Sequence, residues 1–362
     1  MRVSTFPTRW VARAYRIGLA GAMAGALAAV PLAAPAFASS SSSAAASASA
    51  SAAGVRPLQA PLGSNYSIVM QANTNVLWFA NSTAAGGEDS GQTTAPGTSP
   101  AVTALATGGQ EIAWQNPQGT LDVLGSAGNV ATGLAVKAGT SPSITDFPTG
   151  GYEVAFQGAN GHLWSYGTQI TKDWGVPMDP KSSPAIGMMP GGYFQIAFNT
   201  ASDILEEALY GYSFVFNTGQ ALAPGTSPSV CGVVGIESVI AFQDTAGTLA
   251  YFSASNGRNV TSLPMMAGSS PSISAMSTAN NWQIAYESNN GSVATYGTLG
   301  QGVLGLGMLG GTNPSITGLA SGGYEIAFQA NTATLWVTGS LGTSNFDLGM
   351  APGSSPAITA TP

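Results

Sequence analysis

One short phrase returns seven times along this chain, and a repeat of fixed period constrains a fold more than any local feature does. A Ser-Pro or Asn-Pro step, followed by Ala or Ser and a β-branched residue, places prolines at Pro100, Pro142, Pro184, Pro228, Pro271, Pro314 and Pro356. The intervals are 42, 42, 44, 43, 43 and 42 residues. A second phrase keeps the same beat: apolar, small, aromatic, then an amide or acid. It reads Ile112-Ala113-Trp114-Gln115, Val154-Ala155-Phe156-Gln157, Ile196-Ala197-Phe198-Asn199, Ile240-Ala241-Phe242-Gln243, Ile284-Ala285-Tyr286-Glu287 and Ile326-Ala327-Phe328-Gln329, with a looser first copy at Ile68-Val69-Met70-Gln71.

Each unit predicts four short strands. In the third copy, residues 141–145 form the first, with Pro142 at its start, where a missing N–H is tolerated. Thr149-Gly150-Gly151 is a turn, and residues 152–157 alternate as a second strand. Ala159-Asn160-Gly161 supplies a hairpin turn, residues 162–166 a third strand ended by Gly167, and a weaker fourth segment follows. Four antiparallel strands in 42–44 residues is the size of one propeller blade, and no stretch keeps a helical period long enough for a helix. The expected fold is therefore all-β: a seven-bladed β-propeller of four-stranded antiparallel blades over residues 57–362. A linear solenoid is the alternative, although the polar caps it needs are not visible. Both faces of the second strand are apolar, which suits blades packed face to face. The small Ala predicts close approach near the axis.

The ends bear on closure. Ser355-Pro356-Ala357-Ile358-Thr359 is a first strand with no second, while residues 67–71 are a second strand without a clear first. A C-terminal strand that completes the N-terminal blade removes both loose edges. Arg56-Pro57-Leu58-Gln59 is a competing candidate that matches the motif less well.

The front of the chain does not share the repeat. Arg2, Arg9, Arg13 and Arg16 precede an apolar stretch over residues 17–34, and Ala36-Phe37-Ala38 is a small-x-small cleavage site. Residues 1–38 read as a secretory signal peptide, with an uncleaved anchor as the alternative. Residues 39–56 read as a Ser/Ala-rich flexible linker. The mature chain would then lie outside the cell, with no membrane segment after cleavage. It would carry 5 basic and 16 acidic residues, 5 − 16 = −11, a poor match for phosphate backbones. No nucleic-acid partner is expected. The one cysteine, Cys231, can form no internal disulfide, so the core must hold the fold alone.

The phrase Gly323-Tyr324-Glu325-Ile326-Ala327-Phe328-Gln329-Ala330-Asn331, ending in Leu335-Trp336, resembles a repeat seen in secreted actinobacterial proteins. Its architecture is similar to the tectonin-like and Photorhabdus-type propeller lectins. That resemblance, over residues 57–362, implies a seven-bladed fold with sugar sites between or on the blades. Those lectins carry a longer repeat, richer in tryptophan.

Catalytic signals are thin. The single histidine, His162, follows a hairpin turn where other copies have Asn75, Thr120, Thr248, Ser292 or Thr334. It should lie a full blade away from Cys231, so no His/Cys metal site or dyad is expected, and no cofactor either. The fourth unit breaks the pattern with Asp203, Glu206 and Glu207, Glu206 standing where Trp78, Trp164 and Trp336 stand elsewhere. Glu88-Asp89 reads as an acidic pair in a Gly-rich loop. Surface acids account for both groups, although a glycosidase needs only two carboxylates at the right separation. Glu111, Glu153 and Glu325 follow the repeat and read as strand-face residues, and Gln71, Gln115, Gln157, Gln243 and Gln329 as structural amides. Sugar sites pair an aromatic face with short polar groups. The candidates are Trp78, Trp164 and Trp336 with Asn73, Asn160 and Asn331, the same tryptophans being equally placed to fill seams between blades. The expected function is a non-catalytic, lectin-like carbohydrate-binding propeller. A protein-binding scaffold and a glycan hydrolase or lyase are the alternatives.

Overall fold

The structure, a computed structural model, describes residues 63–361 apart from 85, 213, 214 and 254. The expectations for the leader, the linker and the Arg56-Pro57-Leu58-Gln59 segment lie outside the described residues. Among those described, seven four-stranded antiparallel sheets account for all 28 strands, and there is no helix. Each sheet is one repeat, and its innermost strand is the one behind the proline: Ala101–Ala104, Ser143–Asp146, Ala185–Met188, Ser229–Val233, Ser272–Ala275, Ser315–Gly318 and Ala357–Thr361. Each of these strands contacts the next, and Ala357–Thr361 contacts both Ser315–Gly318 and Ala101–Ala104, so the circle is complete. The blades are numbered here by their second strands, from Asn65–Gln71 in blade 1 to Tyr324–Gln329 in blade 7. Blade 1 takes its innermost strand from the C-terminus, Ile358 lying opposite Ile68. A seven-bladed propeller closed by its tail is thus what the spacing of the prolines and the orphan last strand predicted.

The serine or asparagine before each proline explains why that dipeptide recurs. Ser99 donates its backbone N–H to the Ser141 hydroxyl, Ser141 to Ser183, Ser183 to Ser227, Ser227 to Ser270, Ser270 to the Asn313 amide oxygen, Asn313 to Ser355, and Ser355 back to Ser99. All seven distances lie between 2.6 and 2.9 Å. The result is a closed ring of hydrogen bonds, one per blade interface. Replacing one acceptor leaves one part-buried N–H unpaired, so Ser183→Ala should cost about 1 kcal/mol, read as a lower midpoint in thermal or denaturant unfolding. Asn313→Ser should be nearly neutral, since serine fills the other six places.

The core is a set of seven seams rather than one mass. The alanine found in the second strand of six blades faces the apolar pair of the blade after it: Ala155 packs with Ile196 and Phe198, Ala241 with Ile284 and Tyr286, and Ala327 with Ile68 and Met70. Alanine is therefore small because the neighbouring sheet's bulk must fit over it. This corrects the expected reason, close approach near the axis. The second strands are buried on both faces, as in Tyr152–Gln157.

The glutamines bind the seams together. Their amide nitrogens donate to backbone carbonyls of the connector leaving the same blade, as in Gln115 to Val136 (3.2 Å), Gln243 to Met266 (2.9 Å) and Gln71 to Ala95 (2.9 Å). Their backbone carbonyls accept from the connector of the preceding blade, as when Lys137 N–H donates to Gln157 O. The expectation that they are structural holds.

Candidate functional site

Each blade carries the same irregularity on its outer hairpin. The pairing of third and fourth strands slips by a β-bulge just before the position occupied by Trp78, Asp122, Trp164, Glu206, Ala250, Ala294 or Trp336. A bulge re-aims the side chains beside it and raises the local twist. In blade 3 the extra residue is accommodated by Gly175 at φ +71°. Its N–H donates to Asp173 Oδ1 at 2.8 Å, an Asx turn. Asp89–Gly91, Asn217–Gly219 and Asn345–Asp347 repeat that contact in blades 1, 4 and 7.

On the turn side of the bulge Trp78 lies across from Asp89, Trp164 from Asp173 and Trp336 from Asn345. All three tryptophans are half-buried, with one face against the preceding blade's outer strand. Trp78 joins the cluster containing Leu348 and Phe346, Trp164 that containing Leu134, and Trp336 that containing Leu306. They are thus seam residues with an exposed part, between the two placements the sequence left open. The Trp164 ring also stacks on Phe156, centroids 6.2 Å apart and planes 30° apart.

Blade 3 assembles the fullest site. An open cleft of about 210 Å³ between blades 2 and 3 is lined by Leu134, Ala135, Phe156, Ala159, Asn160 and Trp164. The indole N–H of Trp164 donates to Asn160 Oδ1 (3.2 Å), and Asn160 Nδ2 donates to Asp173 Oδ2 (2.9 Å). His162 Nδ1 lies 3.2 Å from Asp173 Oδ1. Slight burial works against the Asp173 carboxylate, but the Gly175 N–H, His162 and Asn160 outweigh it and hold the group below its ordinary value. The cleft therefore offers an aromatic wall beside a negative, acceptor-rich rim.

The other two asparagines stand differently. Asn73 and Asn331 are exposed, and their backbone N–H groups donate across the seam to Gly349 O and Gly307 O, each at 3.1 Å. Their amides lie over those glycines, where a Cβ would sit only 2.7 Å from Nδ2. They are near Trp78 and Trp336 but occupy a different place in the turn from Asn160. The three proposed Trp–Asn pairs are not equivalent. Asp89, Asp173 and Asn345 are the polar partners the three blades share. Sequence reading takes Asp89 only as part of an acidic loop pair and misses Asp173 and Asn345, although the Asx-x-Gly or Asx-x-Asp spacing that marks them is visible.

Several acids sit elsewhere than expected. Glu88 and Asp89 belong to a strand, Gly87–Thr93, and not to a loop. Glu206 and Glu207 are adjacent on Ile204–Leu209 and so point to opposite faces. Glu206 accepts from Asn217 Nδ2 at the rim (3.0 Å), whereas Glu207 is buried rather than solvated, and burial pushes it up to about 8. They do not form a carboxylate pair. Glu111, Glu153 and Glu325 are fully buried and accept backbone N–H groups of their own outer hairpin turns: Ala127 (2.9 Å), Gln169 (3.1 Å) and Leu341 (2.5 Å). They are structural, as their adherence to the repeat indicated. The residue equivalent to His162 in blade 1 is Val76, not Asn75, as the matching pairs Val76–Thr93 and His162–Pro177 show. Cys231 is free and buried on an innermost strand.

No protein-family model matches the chain, and a search of curated proteins finds no match. Solved structures do match. The fungal lectin of Aleuria aurantia, described as a six-bladed β-propeller with a novel fucose recognition mode, aligns with TM-score 0.54 and 14% identity over 70% of this chain and 96% of its own. A complex of a mutant of that lectin with Fucα1-6GlcNAc aligns with TM-score 0.54 at 12% identity, over 70% of this chain and 96% of that one. AofleA from Arthrobotrys oligospora aligns with TM-score 0.51 and 12% identity over 84% of this chain and 98% of its own. At such identities the likeness is one of fold. The Aleuria aurantia neighbours are described as lectins, one of them as a six-bladed β-propeller.

Proposed function

We propose that this chain is a secreted, non-catalytic, lectin-like propeller whose sugar sites are the tryptophan seams of blades 1, 3 and 7. The blade 3 cleft is the observation that supports it. A half-exposed indole donates to Asn160, which in turn contacts Asp173 and His162, so an apolar sugar face can lie on the ring while its hydroxyls donate to the carboxylate. Fucosides are the first probes to try, because structural neighbours are described as bound to them. Seams on one rigid ring also allow a branched or polymeric glycan to engage more than one site at once. Residues 1–38 would be removed on export.

In isothermal titration with α-methyl-L-fucoside and in a glycan array, the wild-type chain should bind at least one saccharide in the millimolar range or tighter. Trp164→Ala should weaken the blade 3 site by about tenfold or more, equivalent to roughly 1.4 kcal/mol, with a fall of only a few degrees in melting temperature. Absence of any sugar binding at millimolar concentration, with a protein partner co-purifying instead, would replace this reading with a protein-binding scaffold.

A further inference from the structure

The axis of the ring breaks the repeat in a way that neither the seams nor the lectin reading uses. The third residue of each innermost strand lines an axial cavity of about 180 Å³, and five of the seven carry a hydroxyl: Thr103, Thr145, Ser274, Thr317 and Thr359. Three of those hydroxyls accept a neighbouring blade's backbone N–H, as Thr359 does from Ala104 (3.1 Å), Thr317 from Ala360 (3.0 Å) and Ser274 from Gly318 (3.0 Å). A hydroxyl oxygen that accepts one bond keeps a second lone pair. At the next strand position six blades have only Ala, Gly or Met. Blade 3 alone has a carboxylate, Asp146, on the wall of the same cavity.

Asp146 is 8% exposed, and its Oδ2 has no hydrogen-bond partner. Among the residues lining the cavity there is no Lys, Arg or His. An ionised group in such a place costs several kcal/mol unless something neutralises it, and an alanine or glycine would be cheaper, as the sister blades show. We propose that the axial cavity is a cation site, with Asp146 supplying the charge and the threonine and serine hydroxyls neutral oxygens. Its donors are oxygens, which select a hard cation such as Ca²⁺ over thiophilic metals. One carboxylate in a site otherwise built of neutral oxygens makes it a weak site, with a dissociation constant on the order of 10⁻⁴–10⁻³ M.

The test is titration of the full chain with CaCl₂ by calorimetry, alongside Asp146→Asn. That variant keeps the shape and removes a buried charge, so it should fold at least as well. Wild type should bind one Ca²⁺ in the cavity, and Asp146→Asn should bind it at least about tenfold more weakly. Cys231 lines the same cavity and serves as a second reporter in the unaltered protein. Its reaction with a small thiol reagent should slow several-fold in millimolar Ca²⁺, and the same concentration of methylammonium should leave it unchanged. Equal Ca²⁺ affinity in Asp146→Asn, no effect of Ca²⁺ on Cys231, or protection by methylammonium alone would each overturn the assignment.

Discussion

Deleting residues 357–361 should leave a chain that no longer unfolds as a cooperative unit. Those five residues are the innermost strand of blade 1, paired with Asn65–Gln71 from Ala357↔Val69 to Thr361↔Asn65. Their loss uncovers Ile68 and Val69, which are fully buried, and discards the buried Ile358. It also removes the acceptor for Ala104 N–H (Thr359 Oγ1, 3.1 Å) and the Ile358 N–H donor to Ser315 (3.2 Å). Both neighbouring innermost strands thereby lose a partner. Several ladder bonds at about 1 kcal/mol each and two or three buried aliphatic side chains at roughly 2 kcal/mol each together rival the whole stability of an ordinary domain, about 5–15 kcal/mol. An open ring also presents a bare edge, which invites association. Circular dichroism melts should lose their sharp transition, and size-exclusion chromatography should show oligomers. A truncated chain that stayed monomeric and melted at the wild-type temperature would show that the tail does not close the ring. Supplying the tail as a separate peptide should restore part of the transition.

What was legible in the sequence follows from how local each feature is. The prolines fix blade number because a missing N–H is tolerated at a strand's start and recurs at each one. The turn between the second and third strands is legible from Asn160-Gly161, and the closing strand from a motif with no following unit. The Ser-Pro step was visible too, but its meaning depends on a partner about 42 residues away in the next blade, as Ser99 and Ser141 are. No single unit contains both halves of that bond.

The site was less legible for the same reason. Trp164 and Asp173 pair in the register that the outer turn sets, as Ser165 and Lys172 do, but the fourth strand is only a weak segment in the sequence and its register could not be read there. Beyond them the bulge re-pairs His162 with Pro177, which counting along a regular hairpin would miss. Burial of the acids was hidden for a different reason. Glu206 and Glu207 look alike in sequence, yet one step along a strand reverses the face, so one meets solvent and the other the seam. Asp146 is a lone carboxylate at the end of a short strand, and only the ring of seven brings the other walls of its cavity to it.

The buried acids should make this fold most stable in mild acid and weaker as pH rises toward 8, the reverse of an ordinary salt-bridged protein. Burial pushes Glu153 up to about 7, Glu207 to about 8 and Glu287 to about 7, against an ordinary value of 4.5. Between about pH 4.5 and 8 the folded chain keeps protons that the unfolded chain has released, so unfolding free energy falls with rising pH and levels off once the folded groups ionise. Glu287 is the sharpest case. It occupies the place where Gln115, Gln157, Gln243 and Gln329 donate to connector carbonyls 21 to 23 residues on. A carboxylate there can donate nothing, and both of its buried oxygens lack a partner. Only the protonated acid can imitate the amide. Glu287→Gln supplies the missing donor and cannot ionise. The displacement of Glu287 from 4.5 to about 7 sets a ceiling of roughly 3 kcal/mol on the gain at pH 8. For a unit of this size that amounts to several degrees in melting temperature. At pH 4.5, where the wild-type acid is protonated, the gain should be much smaller. Thermal unfolding of both proteins from pH 4 to 9 measures the difference. A variant less stable than wild type at pH 8, or a wild type that grows more stable from pH 5 to 8, would mean that the carboxylate has a partner in the fold.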